Sequence, residues 1–163
     1  MKTAVNVTRW AGVVVLLLPI VFFFTPYRRL GDENFIGFDA VKLVFEKSYG
    51  KVSGASKAEI ILRFLVPVCL MLIAGIFFLI KVNLGTAITA TILSGLAFLL
   101  YLAYIGDMIN DDYGIEFGLL FNYIFSIAGC ILPLAAGILN KLIRSKEKKQ
   151  TVPVETGISD QEV

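Results

Sequence analysis

The sequence predicts an all-α integral membrane protein, a four-helix transmembrane bundle with a short amphipathic or β segment in its first external loop. The chain has 163 residues, of which 57% are hydrophobic, whereas soluble domains average about 45–50% apolar residues. Its mean hydropathy is +0.80. The apolar excess lies in four runs, and each is close to the ~20 residues that a helix needs to cross a bilayer.

The first predicted span covers residues 10–27 and follows a short N-terminal segment, residues 1–9. Trp10 and Tyr27 place interfacial aromatic rings at its two ends, and Pro19 is expected to kink it. A basic start before an apolar run is also typical of a signal peptide. Residues 22–24 are all phenylalanine, whereas a cleavage site needs small residues, so we expect a retained span.

Residues 28–59 form the predicted external loop, which contains one segment with periodic hydrophobicity. Its apolar and polar residues separate at helical spacing, which predicts an amphipathic helix of about three turns ending at residues 48–50. Alternation of Val41, Leu43 and Phe45 leaves a strand as the alternative. Such a short helix is unstable alone in water, so we expect it to lie on the membrane surface or to cap the bundle. The two faces of the helix are Phe38, Val41, Val44 and Phe45, and Asp39, Lys42, Glu46 and Lys47.

The second and third spans, residues 60–80 and 84–105, are predicted to form a helical hairpin. Ser56 and Glu59 match a capping box that begins the second span. Arg63 lies in its first turns, where a long side chain can extend to the membrane surface. The connection, residues 81–83, is so short that the two helices must run antiparallel.

An acidic external loop, residues 106–116, precedes the fourth span, residues 117–139, and a tail, residues 140–163. The loop carries four acidic residues and no basic one. The tail begins with a basic cluster, and from Gln150 it is polar, which predicts disorder. The segments on the side of the two termini carry eight Lys and Arg residues, against six in the first loop. The basic cluster and the acidic loop favour cytoplasmic N- and C-termini in a plasma membrane.

Two stripes of small and polar residues are the candidate sites within the membrane. Small residues let membrane helices approach closely, and Ser, Thr and Asn can hydrogen-bond between them. The stripes therefore indicate a packing seam, with a polar path around Asn122 and Ser126 as the alternative. The stripe on the fourth span is Gly118, Asn122, Ser126, Cys130, Pro133 and Gly137, and that on the third is Ala87, Thr91, Ser94 and Gly95.

Two charged clusters are the candidate sites outside the membrane. Carboxylates are ligands for hard cations, although the acidic loop lacks the EF-hand spacing, so exposed charges that pair with arginines are the other interpretation. The basic cluster is expected to contact anionic lipid headgroups or to anchor the topology. The acidic cluster is Asp107, Asp111, Asp112 and Glu116, and the basic cluster is Lys141, Arg144, Lys146, Lys148 and Lys149.

Histidine is missing from the sequence, and other features of its composition exclude further classes of function. The chain has no histidine, which argues against zinc, haem and histidine-based acid–base sites, so we expect no cofactor and no metal. A net charge of +2 without a clustered basic face argues against nucleic acid. The apolar runs hold no acidic residue, which argues against a proton-coupled carrier. Cys69 and Cys130 lie within predicted spans, so we expect buried thiols.

These observations favour a non-enzymatic scaffold or partner-binding subunit of a bacterial plasma membrane. Its expected partners are membrane lipids and either a membrane protein or a second copy. The alternatives are a small channel or transport subunit with a polar path along the fourth helix, and an immunity or stress-protection protein. A lipid-acting enzyme using the acidic loop with Tyr113 ranks last. In outline the chain resembles small four-span proteins, but its first loop lacks the cysteine pair of claudins and tetraspanins.

Overall fold

The computed structural model describes residues 2–30, 33–45, 58, 61–110 and 114–150. Within these ranges, four helical segments are long and apolar enough to cross a membrane: Val5–Phe22, Ile61–Ile80, Leu84–Asp107 and Phe117–Glu147. The prediction of a largely helical chain with four potential membrane spans is therefore confirmed. The predicted capping box at residues 56–59, the end of the loop helix at residues 48–50 and the tail beyond Gln150 lie outside the described residues.

The helices are α1 (Lys2–Phe22), α2 (Gly37–Phe45), α3 (Val66–Ile80), α4 (Leu84–Asn110) and α5 (Phe117–Gln150). A π-helical turn, Ile61–Leu65, leads into α3. The strands are β1 (Pro26–Leu30), β2 (Glu33–Ile36) and β3 (Gly114–Ile115).

The first helix ends five residues before the predicted boundary at Tyr27. Pro26 disfavours a helical conformation in the residue before it, and the chain leaves the helix in a turn in which the Thr25 amide and hydroxyl donate to the Phe22 carbonyl at 3.1 and 2.7 Å. Tyr27 consequently lies in a strand. At the other end the helix begins at Lys2, so the potential span is residues 5–22, shifted toward the N-terminus.

A three-stranded antiparallel sheet joins the two loops at this end of the bundle, with the order β2-β1-β3. Arg28 is paired with Phe35 of β2 on one side and with Ile115 of β3 on the other. The all-α prediction, which allowed for a β segment only at residues 41–45, did not include this sheet. The strands of five, four and two residues are too short to produce a recognisable alternation. The segment for which a strand was the alternative, residues 41–45, is helical in the structure.

The four long helices form a ring in which each packs against two neighbours. α1 contacts α3 and α5, and α4 contacts the same two helices from the opposite side. Consecutive helices run in opposite directions, so every neighbouring pair in the ring is antiparallel. The centre is filled by fully buried side chains, among them Leu16, Met71, Ala90, Ala97 and Ala136.

The two ends of the ring differ, and we name them by their residues. The sheet end carries β1, β2, β3 and α2. The hairpin end carries the α3–α4 turn, residues 81–83, with the first turns of α1 and the last turns of α5. α5 has 34 residues, which at ~1.5 Å of rise per residue exceeds the ~30 Å hydrocarbon layer. It is therefore longer than one hydrocarbon layer is thick, and at the hairpin end it includes the residues predicted to begin the tail.

Candidate functional site

The two predicted stripes meet along the α4–α5 contact. The Thr91 hydroxyl donates to the Cys130 carbonyl at 3.0 Å, and the Cys130 thiol donates to the Thr91 carbonyl at 3.8 Å. Nearer the hairpin end, Gly137 is buried against the Ala87 methyl group. Gly95 lies opposite the same thiol, with 3.9 Å between the Cys130 sulfur and the position a Gly95 Cβ would take. Cys130 and Gly137 of the fourth-span stripe thus contact the third-span stripe within the same chain, whereas Gly118 packs on Thr25 and Pro26 at the sheet end.

Gly129, which is not one of the predicted stripe residues, lies where the four helices come together. A Cβ at this position would be 2.8 Å from the Ser94 hydroxyl, 3.0 Å from Leu16 and 3.1 Å from Met71. These three residues belong to α4, α1 and α3, so α5 can approach all of them only because residue 129 has no side chain. The bundle interior is filled at this level, where a polar path along α5 would have to pass.

A buried polar pair joins the sheet to the bundle. The Asn122 side-chain amide donates a hydrogen bond to the Tyr27 hydroxyl, and both residues have no solvent exposure. Burial raises the pKa of the Tyr27 phenol well above its usual range, so the hydroxyl stays protonated. Asn122 belongs to a predicted stripe, whereas Tyr27 is predicted at the membrane interface. Pro26 indicates that the helix ends before Tyr27, but it does not indicate that the Tyr27 ring is buried.

Aromatic rings surround Tyr27 on two sides. Its ring centroid lies 5.7 Å from that of Phe64 and 6.1 Å from that of Phe23, and Phe64 in turn contacts Tyr104 at 4.9 Å. Aromatic pairs at such distances add to the free energy gained by burial alone. The sheet end is therefore closed by an aromatic cluster with one hydrogen-bonded polar pair inside it.

The other polar residues of the stripes have separate environments. The Ser126 hydroxyl donates to the Tyr123 carbonyl of its own helix at 2.6 Å. Pro133 is fully buried. In the described part of the chain, the side-chain oxygen of Asn122 (Oδ1) and the Ser94 hydroxyl are buried without a hydrogen-bond partner. The structure therefore does not connect Asn122 and Ser126 by hydrogen bonds.

The residues predicted to form the acidic loop, 106–116, have two structural environments, because α4 extends to Asn110 and so includes Asp107. The Asp107 carboxylate contacts the Arg63 guanidinium at 2.8 Å, with both side chains partly exposed. The backbone amide of Glu116 donates to the Tyr27 carbonyl at 3.2 Å, next to β3. Asp111, Asp112 and Tyr113 lie outside the described residues. Among those that are described, no group of three or more metal-ligating side chains is present.

Two of the five basic candidates line clefts at the hairpin end. Lys141 and Arg144 line a cleft of 140 Å³ together with Asn83, Leu84 and Asn140. Arg144 also lines a neighbouring cleft of 270 Å³, whose other residues are Val5, Asn6, Asn140, Ile143 and Glu147. Lys146 is exposed, and Lys148 and Lys149 belong to the last turn of α5.

Hydrogen bonds fix the walls of these clefts. The Asn140 side-chain amide donates to the Val82 carbonyl at 2.5 Å and so holds α5 against the α3–α4 turn. Asn83 caps α4: its side-chain oxygen accepts from the Thr86 amide at 2.7 Å, and the Thr86 hydroxyl accepts from the Asn83 amide at 3.1 Å. The three asparagines of the clefts, Asn6, Asn83 and Asn140, are not among the residues predicted from the sequence, because none of them stands in a charged cluster or a stripe.

Comparison of the chain with protein-family models, with curated proteins and with solved structures found no match.

Proposed function

We propose that this chain is a non-enzymatic, partner-binding protein of a bacterial plasma membrane, with its termini in the cytoplasm and its sheet end outside. The partner is a membrane protein or a second copy of the chain. The observation that carries the proposal is an exposed aromatic pair, Phe24 and Phe38, on a sheet end that is otherwise fixed to the bundle. Their rings lie 5.3 Å apart, and the side chains are 55% and 37% exposed.

Several contacts hold this aromatic pair in place. The Phe38 amide donates to the Phe23 carbonyl at 3.2 Å, and Gly37 packs directly on the Phe23 ring. The Asp39 carboxylate accepts a hydrogen bond from the Ile36 backbone amide at 3.1 Å and so fixes the start of α2. A surface that is already ordered loses little conformational entropy when it binds, and this raises the affinity it can reach.

Exposed aromatic residues are enriched in protein interfaces relative to the rest of the surface. Trp and Tyr are the aromatic residues enriched at the membrane–water boundary, because their rings are amphipathic, whereas the exposed rings of Phe24 and Phe38, which lie just beyond the end of α1, have no polar group. A partner protein that covers Phe24 and Phe38 would therefore lie at the external face of the same plasma membrane. This location supports a membrane-protein partner over a soluble one.

The filled interior supports partner binding over a channel. A pore along α5 would need space beside Gly129. The side chains of Ser94, Leu16 and Met71 leave too little room there even for a Cβ on residue 129. Much of the predicted stripes packs within the chain, which favours the exposed aromatic pair over the stripes as the contact surface for a partner. An immunity or stress-protection role has no residue of its own to support it.

The proposal is tested by placing a photo-crosslinking amino acid at position 38 of the full chain in native membranes. The control position is Ile92, which is 58% exposed on the lipid-facing side of α4. We expect a discrete protein adduct from position 38 that position 92 does not give, and mass spectrometry of the adduct distinguishes a membrane protein from a second copy. Uncrosslinked monomer alone, or the same adducts from both positions, would show that the sheet end binds no partner.

A further inference from the structure

The smaller cleft at the hairpin end lies at the depth of lipid headgroups. α3 ends at Ile80 and α4 begins at Leu84, so the turn between them marks the edge of the hydrocarbon layer on this side. Asn83 and Leu84 line the cleft from the turn, and Lys141 lines it from α5. On α1, the Arg9 guanidinium donates to the Leu79 carbonyl near the end of α3 at 2.9 Å, so the neighbouring, exposed Trp10 lies close to the level of this turn; tryptophan is enriched at membrane–water boundaries.

Charge distinguishes the smaller cleft from its larger neighbour. Lys141 and Arg144 line the smaller cleft, and no acidic residue is among its lining residues. The larger cleft has one basic and one acidic lining residue, Arg144 and Glu147. The smaller cleft is therefore the one whose lining favours an anion.

The start of α4 adds partial positive charge to the same cleft. The first amides of a helix have no partner within the helix, and the helix dipole is positive at this end. Of the first amides of α4, the Asn83 side chain accepts a hydrogen bond only from that of Thr86. Phosphate groups bind at such helix starts when cationic side chains are also present. Here Lys141 and Arg144 supply those side chains.

We propose that this cleft, between Asn83 of the turn and Lys141 and Arg144 of α5, binds the phosphate group of an anionic membrane lipid. The depth of the cleft favours a lipid over free phosphate as the source. The basic cluster of the sequence is thereby divided: Lys141 and Arg144 belong to a shaped site, whereas Lys146 adds only general attraction to an anionic surface. This inference is independent of the partner proposed for the sheet end.

The test measures lipid binding to the purified, delipidated full chain in detergent by native mass spectrometry. Phosphatidylglycerol is the anionic probe, phosphatidylcholine the zwitterionic probe, and inorganic phosphate the soluble competitor. Lys141→Gln should weaken phosphatidylglycerol binding about fivefold, since a basic residue near an anionic lipid contributes ~1 kcal/mol. Lys146→Gln, the same charge change on the same helix, should weaken it less than about twofold, and Lys141→Arg should retain the affinity.

Three results would overturn the proposal. Equal losses from Lys141→Gln and Lys146→Gln would mean that only the general surface charge matters. Equal affinity for the two lipids would mean that the cleft does not select an anion. Displacement of phosphatidylglycerol by an equal concentration of inorganic phosphate would show a soluble phosphate site instead of a lipid site. Arg144→Gln repeats the test if Lys141→Gln lowers the melting temperature.

Discussion

The sheet end and the hairpin end of the bundle contrast most clearly in how they treat the two asparagines of α5. Asn122, at the sheet end, is fully buried and hydrogen-bonded to a buried tyrosine. Asn140, at the hairpin end, is half-buried and lines both clefts. The sheet end is sealed by aromatic rings, whereas the hairpin end has open space beside its polar groups. A sealed end stabilises the bundle, and an open end can exchange ligands.

The largest effect should come from removing the ring at the centre of the sealed end. Tyr27→Ala should lower the free energy of unfolding by ~3–5 kcal/mol, the usual cost of deleting a buried aromatic side chain. Phe24→Ala is the matched control, because Phe24 also follows α1 but is 55% exposed, and it should cost less than ~1 kcal/mol. Both values can be measured by titrating the folded protein in mixed micelles with a denaturing detergent.

Equal losses from Tyr27→Ala and Phe24→Ala would contradict the comparison, since they would mean that burial does not distinguish the two rings. A large loss from Tyr27→Ala alone would sharpen it. In that case the sheet would stabilise the protein mainly through the Tyr27 ring that covers the bundle. The hydrogen bonds between its short strands would contribute less.

The next effect concerns glycines that permit close packing at each end. At position 118, a Cβ would lie 2.6 Å from the Pro26 carbonyl oxygen, and at position 137 it would overlap the Ala87 methyl group. Gly118→Ala and Gly137→Ala should each cost ~1–3 kcal/mol, as overpacked core substitutions do.

Gly106→Ala supplies the control for both glycine variants, because a Cβ at position 106 meets nothing within 4 Å. It should stabilise the protein by up to ~1 kcal/mol through the lower conformational entropy of the unfolded chain. The same detergent titration measures all three. If Gly137→Ala were neutral, the hairpin end would be loosely packed as well as open, and the contrast between the ends would be larger than the structure indicates.

The four long helices could be predicted from the sequence, because they follow from lipid as the surrounding medium. A bilayer requires each span to satisfy its own backbone hydrogen bonds, so four apolar runs were enough to predict four helices. The sheet follows from contacts that are distant in sequence. Arg28 pairs with Ile115, and no local sequence pattern near either residue predicts that pairing. The end of α1 was predictable in principle from Pro26, but the aromatic run before it suggested a longer helix.

The candidate sites show the same division. The stripes on α4 and α5 were visible because a small residue recurs every three to four positions. Their division into a packed seam and a buried Tyr27–Asn122 pair depended on which residues of other elements face them. The clefts combine asparagines from α1, the α3–α4 turn and α5 with two of five basic residues. Only the ring order of the helices brings those segments together.

The smallest effect, and the most direct comparison of the two ends, comes from the same substitution in both asparagines. Asn122→Leu leaves the Tyr27 hydroxyl buried without its donor and should cost ~1 kcal/mol, the lower end of the ~1–3 kcal/mol for leaving a buried polar group unpaired. Asn140→Leu removes the donor to the Val82 carbonyl beside a cleft of 140 Å³. Water in that cleft can replace the donor, so the cost should be ~0.5 kcal/mol or less.

A double-mutant cycle separates the lost hydrogen bond from the changed volume of residue 122. Removing both polar partners, with Tyr27→Phe and Asn122→Leu together, should cost less than the sum of the two single variants, because neither group is then left buried and unpaired. Strict additivity would mean that the pair contributes nothing beyond its packing. A cost for Asn140→Leu as large as that for Asn122→Leu would show that water does not reach Val82, and the hairpin end would then be sealed like the sheet end.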